Sequence, residues 1–187
     1  LSNVVHANVF AFDYRGYGQS DGHPTEAGCI ADGAAAQRWL AQRLGIERRD
    51  VILMGRSLGS AVAVALAADN GARALVLENA FTAMPDVASI HYPWLPVHWV
   101  MKNRYDSVAR IRRYTGPLLQ THGAADVLIP IALARALFDA APSKNKKWVE
   151  FPGIGHNDSE PARFYAELAA FVDAVTPPIG RGANPDS

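Results

Sequence analysis

Val51-Ile52-Leu53-Met54-Gly55-Arg56-Ser57-Leu58-Gly59, with the alanine-rich run to Ala68 behind it, is the segment on which the architecture turns. Val51 to Met54 reads as a short buried strand, and Gly55 begins a sharp exit from it. Leu58 to Ala68 suits a helix packed tightly on a sheet, with Gly59 and Ala61 leaving room for a close approach. Ser57 therefore falls at a strand-to-helix corner. Such a corner is tight and strained and holds its side chain out where a substrate can meet it. The helix start also aims free backbone N–H groups at the corner, and the Leu58 N–H is the donor expected to face a developing oxyanion. These are the requirements of a nucleophilic serine. Without the strand before it and the helix after it, Gly-x-Ser-x-Gly would be no more than a small-residue helix cap.

Outward from this segment, short β-rich runs alternate with helix-length stretches, the pattern of a largely parallel sheet covered on both faces. Val9-Phe10-Ala11-Phe12 reads as a buried strand ended by Asp13 and the glycines at 16 and 18. A helix is expected from Thr25 to Leu44, with Cys29, Gly33, Ala36, Leu40 and Leu44 on its buried stripe and Gly45 as its stop. Further strands are expected at Ala74 to Leu77, Pro117 to Thr121 and Trp148 to Phe151. Helices are expected from Ile129 to Ala140, with Pro130 in the first turn, and from near Ser159 onward with Phe164, Leu168, Phe171 and Val175 inward. Prolines at 85, 93 and 96 break the stretch from Phe81 to Thr115 into short elements. Residues 1–175 form one expected domain and 176–187 a loose tail.

Composition narrows the function. The chain has 187 residues, 49% apolar, enough for a real core. Eighteen basic residues balance eighteen acidic ones without a long run of either sign, which argues against a nucleic-acid partner. The nearest approach to a basic patch, Arg110, Arg112 and Arg113, reads as a solvated helix end. The single cysteine, Cys29, excludes an internal disulfide and a thiolate metal site and reads as a buried thiol. The longest apolar run is too short to span a bilayer. The compartment stays open, with the cytoplasm as the default expectation and an upstream signal or anchor compatible with it; membrane anchoring and oligomeric state are not legible.

A nucleophilic serine needs a base. His156, in Gly153-Ile154-Gly155-His156-Asn157-Asp158, follows the last strand on a turn able to bring an imidazole over the carboxyl ends of the strands. His6, His23, His91 and His98 read as surface or loop residues, and His122 as a satisfied buried histidine. None has metal-ligand spacing, and neither a metal nor an organic cofactor is expected. A third group must hold the histidine tautomer. Asp126, across the Gly123-Ala124-Ala125 turn, and Glu78, just beyond the preceding strand, both preserve the order serine, acid, histidine. The alternative for Asp126 is a turn or helix-cap aspartate. Asp158 lies on the same turn as His156, which rarely gives the opposed geometry required.

Taken together, Asp13-Tyr14-Arg15-Gly16-Tyr17-Gly18-Gln19-Ser20, Gly55 to Gly59, Glu78-Asn79-Ala80-Phe81-Thr82, Gly123 to Asp126 and Gly155 to Asp158 resemble the serine hydrolases of the α/β-hydrolase superfamily, in particular the Bem46-like group with little or no cap. The resemblance runs to about Val175. It implies an α/β-hydrolase fold and a Ser57, Asp126, His156 triad, with Asp126 preferred over Glu78. It also implies strands upstream of Val9 and a His-Gly-Asn-type loop supplying a second oxyanion N–H. Eight residues precede Val9, and Ser2-Asn3 does not replace that loop. The expectation is that these residues are the later part of a longer protein, with a sheet edge left unpaired. Loss of one donor costs about 3 kcal/mol of transition-state stabilisation, so the segment alone is expected to be weakly active or poorly folded.

The expected substrate is a small acyl ester or acyl thioester. Tyr92, Trp94, Leu95 and Trp99, interleaved with prolines, read either as an acyl-pocket wall or as a packed satellite cluster under a loop. A different class, a non-catalytic interaction module on the same fold or a fragment requiring upstream residues, is the alternative.

Overall fold

Four of the five apolar runs become strands of one sheet: β1 (Ile52–Arg56), β2 (Ala74–Glu78), β3 (Leu118–Gly123) and β4 (Lys146–Phe151) lie side by side in that order, all parallel. The computed structural model describes residues 2–5 and 7–176; His6 and all of the expected 176–187 tail except Thr176 lie outside the described residues. Helices are α1 (Ser2–Val5), α2 (Glu26–Leu44), α3 (Leu58–Asn70), α4 (Met84–His91), α5 (Val97–Val100), α6 (Ser107–Ile111), α7 (Ile131–Ala140) and α8 (Ala162–Val175). Every residue of β2 is buried, as a parallel strand covered on both faces must be.

Alternation along the strands divides the core. Leu75 and Leu77 join Val62, Leu66 and Leu137 on the face covered by α2, α3 and α7. Val76 and Leu119 join Phe164, Leu168 and Val172 of α8 on the other. Each fully buried aliphatic side chain contributes roughly 1.5–3 kcal/mol. Cys29 is fully buried, as its place on α2 predicts. Of the arginines near 110, Arg110 pairs with Glu26 at 2.8 Å and Arg113 with Asp69 at 2.7 Å, on the surface around α6.

Helix boundaries follow local chemistry. Thr25 is the cap of α2 rather than its first residue, accepting the Gly28 N–H at 3.1 Å, and Gly45 closes it in a left-handed conformation. Pro130 caps α7 from outside, and Pro161 delays the start of α8 to Ala162.

Val9 to Phe12 is not a buried strand. The segment makes no ladder bonds, and Val9, Phe10 and Phe12 are exposed. The outer edge of β1 has no strand partner among the described residues. A groove of about 380 Å³ runs between that edge and the segment, lined by Val9, Phe10, Met54, Leu66 and Leu168 among others. The groove keeps the segment beyond ladder distance of the free β1 edge, and its rings pack on other aromatics instead: Phe10 sits 4.9 Å from Trp39 of α2, and Phe12 4.9 Å from Tyr14. The same opening shifts the buried stripe of α2 to Cys29, Gly33, Gln37 and Ala41, while Ala36, Leu40 and Leu44 line the groove. Val175 is likewise only partly buried, its place in the core taken by Val172.

Candidate active site

Ser57 occupies the corner between β1 and α3 with φ 51° and ψ −122°, a left-handed conformation that costs a non-glycine residue about 1–3 kcal/mol. Its neighbours hold it there. The Ser57 N–H donates to the Glu78 carbonyl at 2.9 Å, and the Ser57 carbonyl accepts from the Ser60 N–H at 2.9 Å. The flanking glycines are not equivalent. A Cβ on Gly55 would fall on the Gly59 carbonyl, with Gly59 C at 2.5 Å and Ser60 N at 2.7 Å, whereas a Cβ on Gly59 meets only the Tyr14 hydroxyl at 4.0 Å. Close approach therefore depends on Gly55. Leu58 opens α3, so its N–H has no carbonyl one turn earlier and faces the corner free.

Asp126 leaves the end of β3 on a tight turn, its N–H donating to Gly123 O at 3.1 Å. The turn is laced to the loop after β4: Ala124 N–H donates to Phe151 O and Ala125 N–H to Ile154 O, each at 2.9 Å. Gly123 permits this contact, since a Cβ there would strike the Ile154 carbonyl. The His156 loop is thereby held against the Asp126 turn. His156 Nε2 lies 3.1 Å from Ser57 Oγ, and His156 Nδ1 lies 2.7 Å from Asp126 Oδ2. With Nδ1–H donating to the carboxylate, Nε2 is left as the acceptor for the serine proton.

The Asp126 side chain is fully buried, and that of His156 is 10% exposed. Asp126 Oδ1 accepts from Leu128 N–H at 2.9 Å and Ile129 N–H at 2.8 Å. The turn-cap role and the histidine-orienting position weighed as alternatives thus coexist, one on each oxygen. His122 stands behind, its Nε2 2.9 Å from Ile129 O and 3.8 Å from Asp126 Oδ2. Burial, above all, holds the His122 pKa below its ordinary value, so the ring stays neutral and donates from Nε2 to the carbonyl.

Glu78 is engaged elsewhere. Its Oε1 lies 2.8 Å from Arg56 Nε, close enough for an ion pair though not aligned as a hydrogen bond. Burial first, then the adjoining Glu160 carboxyl, push the Glu78 carboxyl up to about 8, against the pull of Arg56. Asp158 does not face the imidazole; its Oδ2 accepts from Gly155 N–H at 2.7 Å and shapes the loop. Arg56 Nη2 donates to the His156 carbonyl, as does Asn79 Nδ2 at 3.4 Å. Asn79 has φ 47°, and its Oδ1 accepts from Gly123 N–H at 3.2 Å. Arg56, Asn79 and Glu160 were not singled out in sequence, although the first two lie inside the stretches quoted there.

The aromatic segment is not a packed cluster: Trp94 is 74% and Trp99 91% exposed, Tyr92 and Leu95 are exposed, and Val97 alone of α5 is buried. It adjoins the acid turn through His91, whose Nε2 lies 2.8 Å from Leu128 O. The groove beside β1 is a separate feature that none of Ser57, Asp126 and His156 lines. None of the described helices is long and apolar enough to cross a membrane.

Comparison with known proteins agrees with this geometry. A family profile described as alpha/beta hydrolase fold matches residues 1–109. An uncharacterized protein of Mycobacterium tuberculosis is 42% identical over 153 residues, 82% of this chain and 54% of that protein. Protein bem46 of Schizosaccharomyces pombe is 33% identical over 167 residues, covering 84% and 54%. The chain thus spans about half the length of these relatives. The crystal structure of a Paleococcus ferrophilus monoacylglycerol lipase superposes with a TM-score of 0.66 at 19% identity, over 89% of this chain and 83% of that one, a likeness of fold.

Proposed function

The chain belongs to the alpha/beta hydrolase fold family, and on that premise we propose that it is a serine hydrolase cleaving an ester or thioester by acyl transfer to water, within the Bem46-type branch. The observation that carries this reading is the run of contacts from Ser57 Oγ to His156 Nε2 at 3.1 Å and from His156 Nδ1 to Asp126 Oδ2 at 2.7 Å.

Ser57 Oγ attacks the acyl carbonyl as His156 Nε2 takes its proton, and the carbonyl π pair moves to oxygen, where Leu58 N–H donates. The buried Asp126 carboxylate keeps Nδ1 protonated and stabilises the imidazolium. Collapse of the tetrahedral intermediate breaks the bond to the alkoxide or thiolate, which leaves with the proton from Nε2. Water then adds to the acyl-enzyme by the same route, returning the proton to Ser57 and releasing the carboxylic acid. In this reading the exposed segment from Tyr92 to Trp99, tied to the acid turn through His91, supplies the wall for an apolar acyl group. The substrate is accordingly a small acyl ester or acyl thioester.

A fluorophosphonate probe tests the assignment on wild type and Ser57→Ala. Labelling of the wild type alone is expected. Labelling that survives the substitution removes Ser57 from the role, and absence of labelling in the folded wild type favours an interaction module on the same fold.

A further inference from the structure

The guanidinium of Arg56, one residue before Ser57, reaches three elements at once. Nε lies 2.8 Å from Glu78 Oε1 at the end of β2, Nη1 lies 3.9 Å from Glu160 Oε1 just before α8, and Nη2 donates to the main-chain carbonyl of His156. Asn79, next to Glu78, donates to the same carbonyl from the other end of its amide bridge to Gly123. Resting on the reading of Ser57 and His156 as nucleophile and base, we propose that Arg56 is a positioning residue: braced on Glu78 and Glu160, it fixes the His156 backbone and so holds the imidazole in register with Ser57.

First, His156 stands on a loop tied to the Asp126 turn at Phe151 and Ile154, and at His156 itself the two side-chain donors to the carbonyl are Arg56 and Asn79. Second, the brace is built into the peptide that bears the nucleophile, so a movement of the Ser57 corner carries the restraint on the base with it. Third, the Glu78 side chain is only 5% exposed and stands in a fixed place, 2.8 Å from Arg56 Nε, rather than in solvent. A brace for a neighbouring guanidinium gives that burial a purpose. The planar fork of arginine addresses several partners from fixed directions, whereas a lysine ammonium at the same place is a single point.

A purely structural contact predicts lower stability with the chemistry of the surviving folded protein unchanged. Positioning predicts slower chemistry in the folded protein, whatever the loss of stability. The test compares second-order rates of fluorophosphonate labelling, unfolding curves and the low-field proton resonance of His156 Nδ1–H in wild type, Arg56→Lys, Arg56→Met, and Arg56→Met combined with Glu78→Gln. The double variant removes the unpaired acid, so the test survives if Arg56→Met alone fails to fold. A displacement of the base by about 1 Å costs on the order of a hundredfold in rate. The folded double variant is therefore expected to label about ten- to a hundredfold more slowly with the low-field resonance broadened or lost, and Arg56→Lys to remain below wild type. A folded double variant with wild-type rate and resonance overturns the proposal, as does full recovery with lysine, which would reduce the effect to charge alone. Ser57→Ala that still labels overturns instead the reading of the site beneath it, and the resonance, which reports the His156 and Asp126 pair without turnover, keeps the two failures apart.

Discussion

Replacing Gly55 with alanine tests how the nucleophile corner is built. The added Cβ would land on the Gly59 carbonyl, 2.5 Å from its carbon and 2.7 Å from Ser60 N, where ordinary carbon contacts need about 3.5–4.0 Å. All three clashing atoms are backbone of the first turn of α3, so no side-chain rotation relieves them. The helix start must withdraw by about 1 Å, or β1 must tilt away from β2, to which Gly55 is paired opposite Leu77. Overpacking of this kind costs about 1–3 kcal/mol, and more where only backbone can yield. Because Ser57 lies between the two colliding segments, its hydroxyl moves with them, and a shift of about 1 Å costs on the order of a hundredfold in reaction rate. Gly59→Ala is the control: its Cβ meets only the Tyr14 hydroxyl at 4.0 Å, and the change to alanine adds up to about 1 kcal/mol of helix propensity. Urea unfolding and labelling rates on both variants measure the two effects. Gly55→Ala should lose stability and at least tenfold in labelling rate, and Gly59→Ala should keep the rate with stability equal to or above wild type. Equal behaviour of the two would refute the argument.

Two further expectations concern the acids. Asp126→Asn keeps an oxygen for the Leu128 and Ile129 N–H groups but no longer stabilises the protonated Nδ1; turnover of a chromogenic short-chain ester should fall by about 10⁴ with little change in unfolding, and by less in Glu78→Gln, while a larger loss from Glu78→Gln would reverse the assignment. The carboxyl of Glu78, facing Arg56 of β1 and Glu160 before α8 beside the His156 loop, is raised from 4.5 to about 8 on folding, so between those values the folded state holds a proton that the unfolded chain has lost; stability from this group is full below pH 4.5 and declines as pH rises to 8. Urea midpoints of Glu78→Gln should be flatter than wild type across that window, and superimposable pH curves would count against a buried, proton-holding Glu78.

The candidate triad is legible because its chemistry is written in local context. Ser57 stands between an apolar strand and an apolar helix, Asp126 just past a strand end and His156 just past the last one, positions that a parallel sheet brings to one edge. The double use of Asp126 was less visible, since sequence offers cap and acid as competing readings whereas a carboxylate has two oxygens. Glu78 had the right order and the wrong neighbour: the Arg56 side chain that engages it comes from an adjacent strand, and pairing across strands is not encoded in spacing. Val9 to Phe12 has the composition of a strand, but strand formation needs a partner backbone, a non-local condition. The contacts of Arg56 and Asn79 are not encoded in spacing for the same reason: they reach a carbonyl about a hundred residues away from the first of them.

The spatial order β1, β2, β3, β4 is also the order of synthesis. Each strand can be laid against a predecessor that already exists, so the sheet can grow from a ribosome-bound chain without waiting for a distant partner. Ser57 and His156 are 99 residues apart, which at ordinary translation rates separates their emergence by roughly 5 to 20 s. On the proposed roles, the Ser57 corner, tied to β2 through the Glu78 carbonyl, meets its base only when β4 docks and brings the histidine loop onto the acid turn.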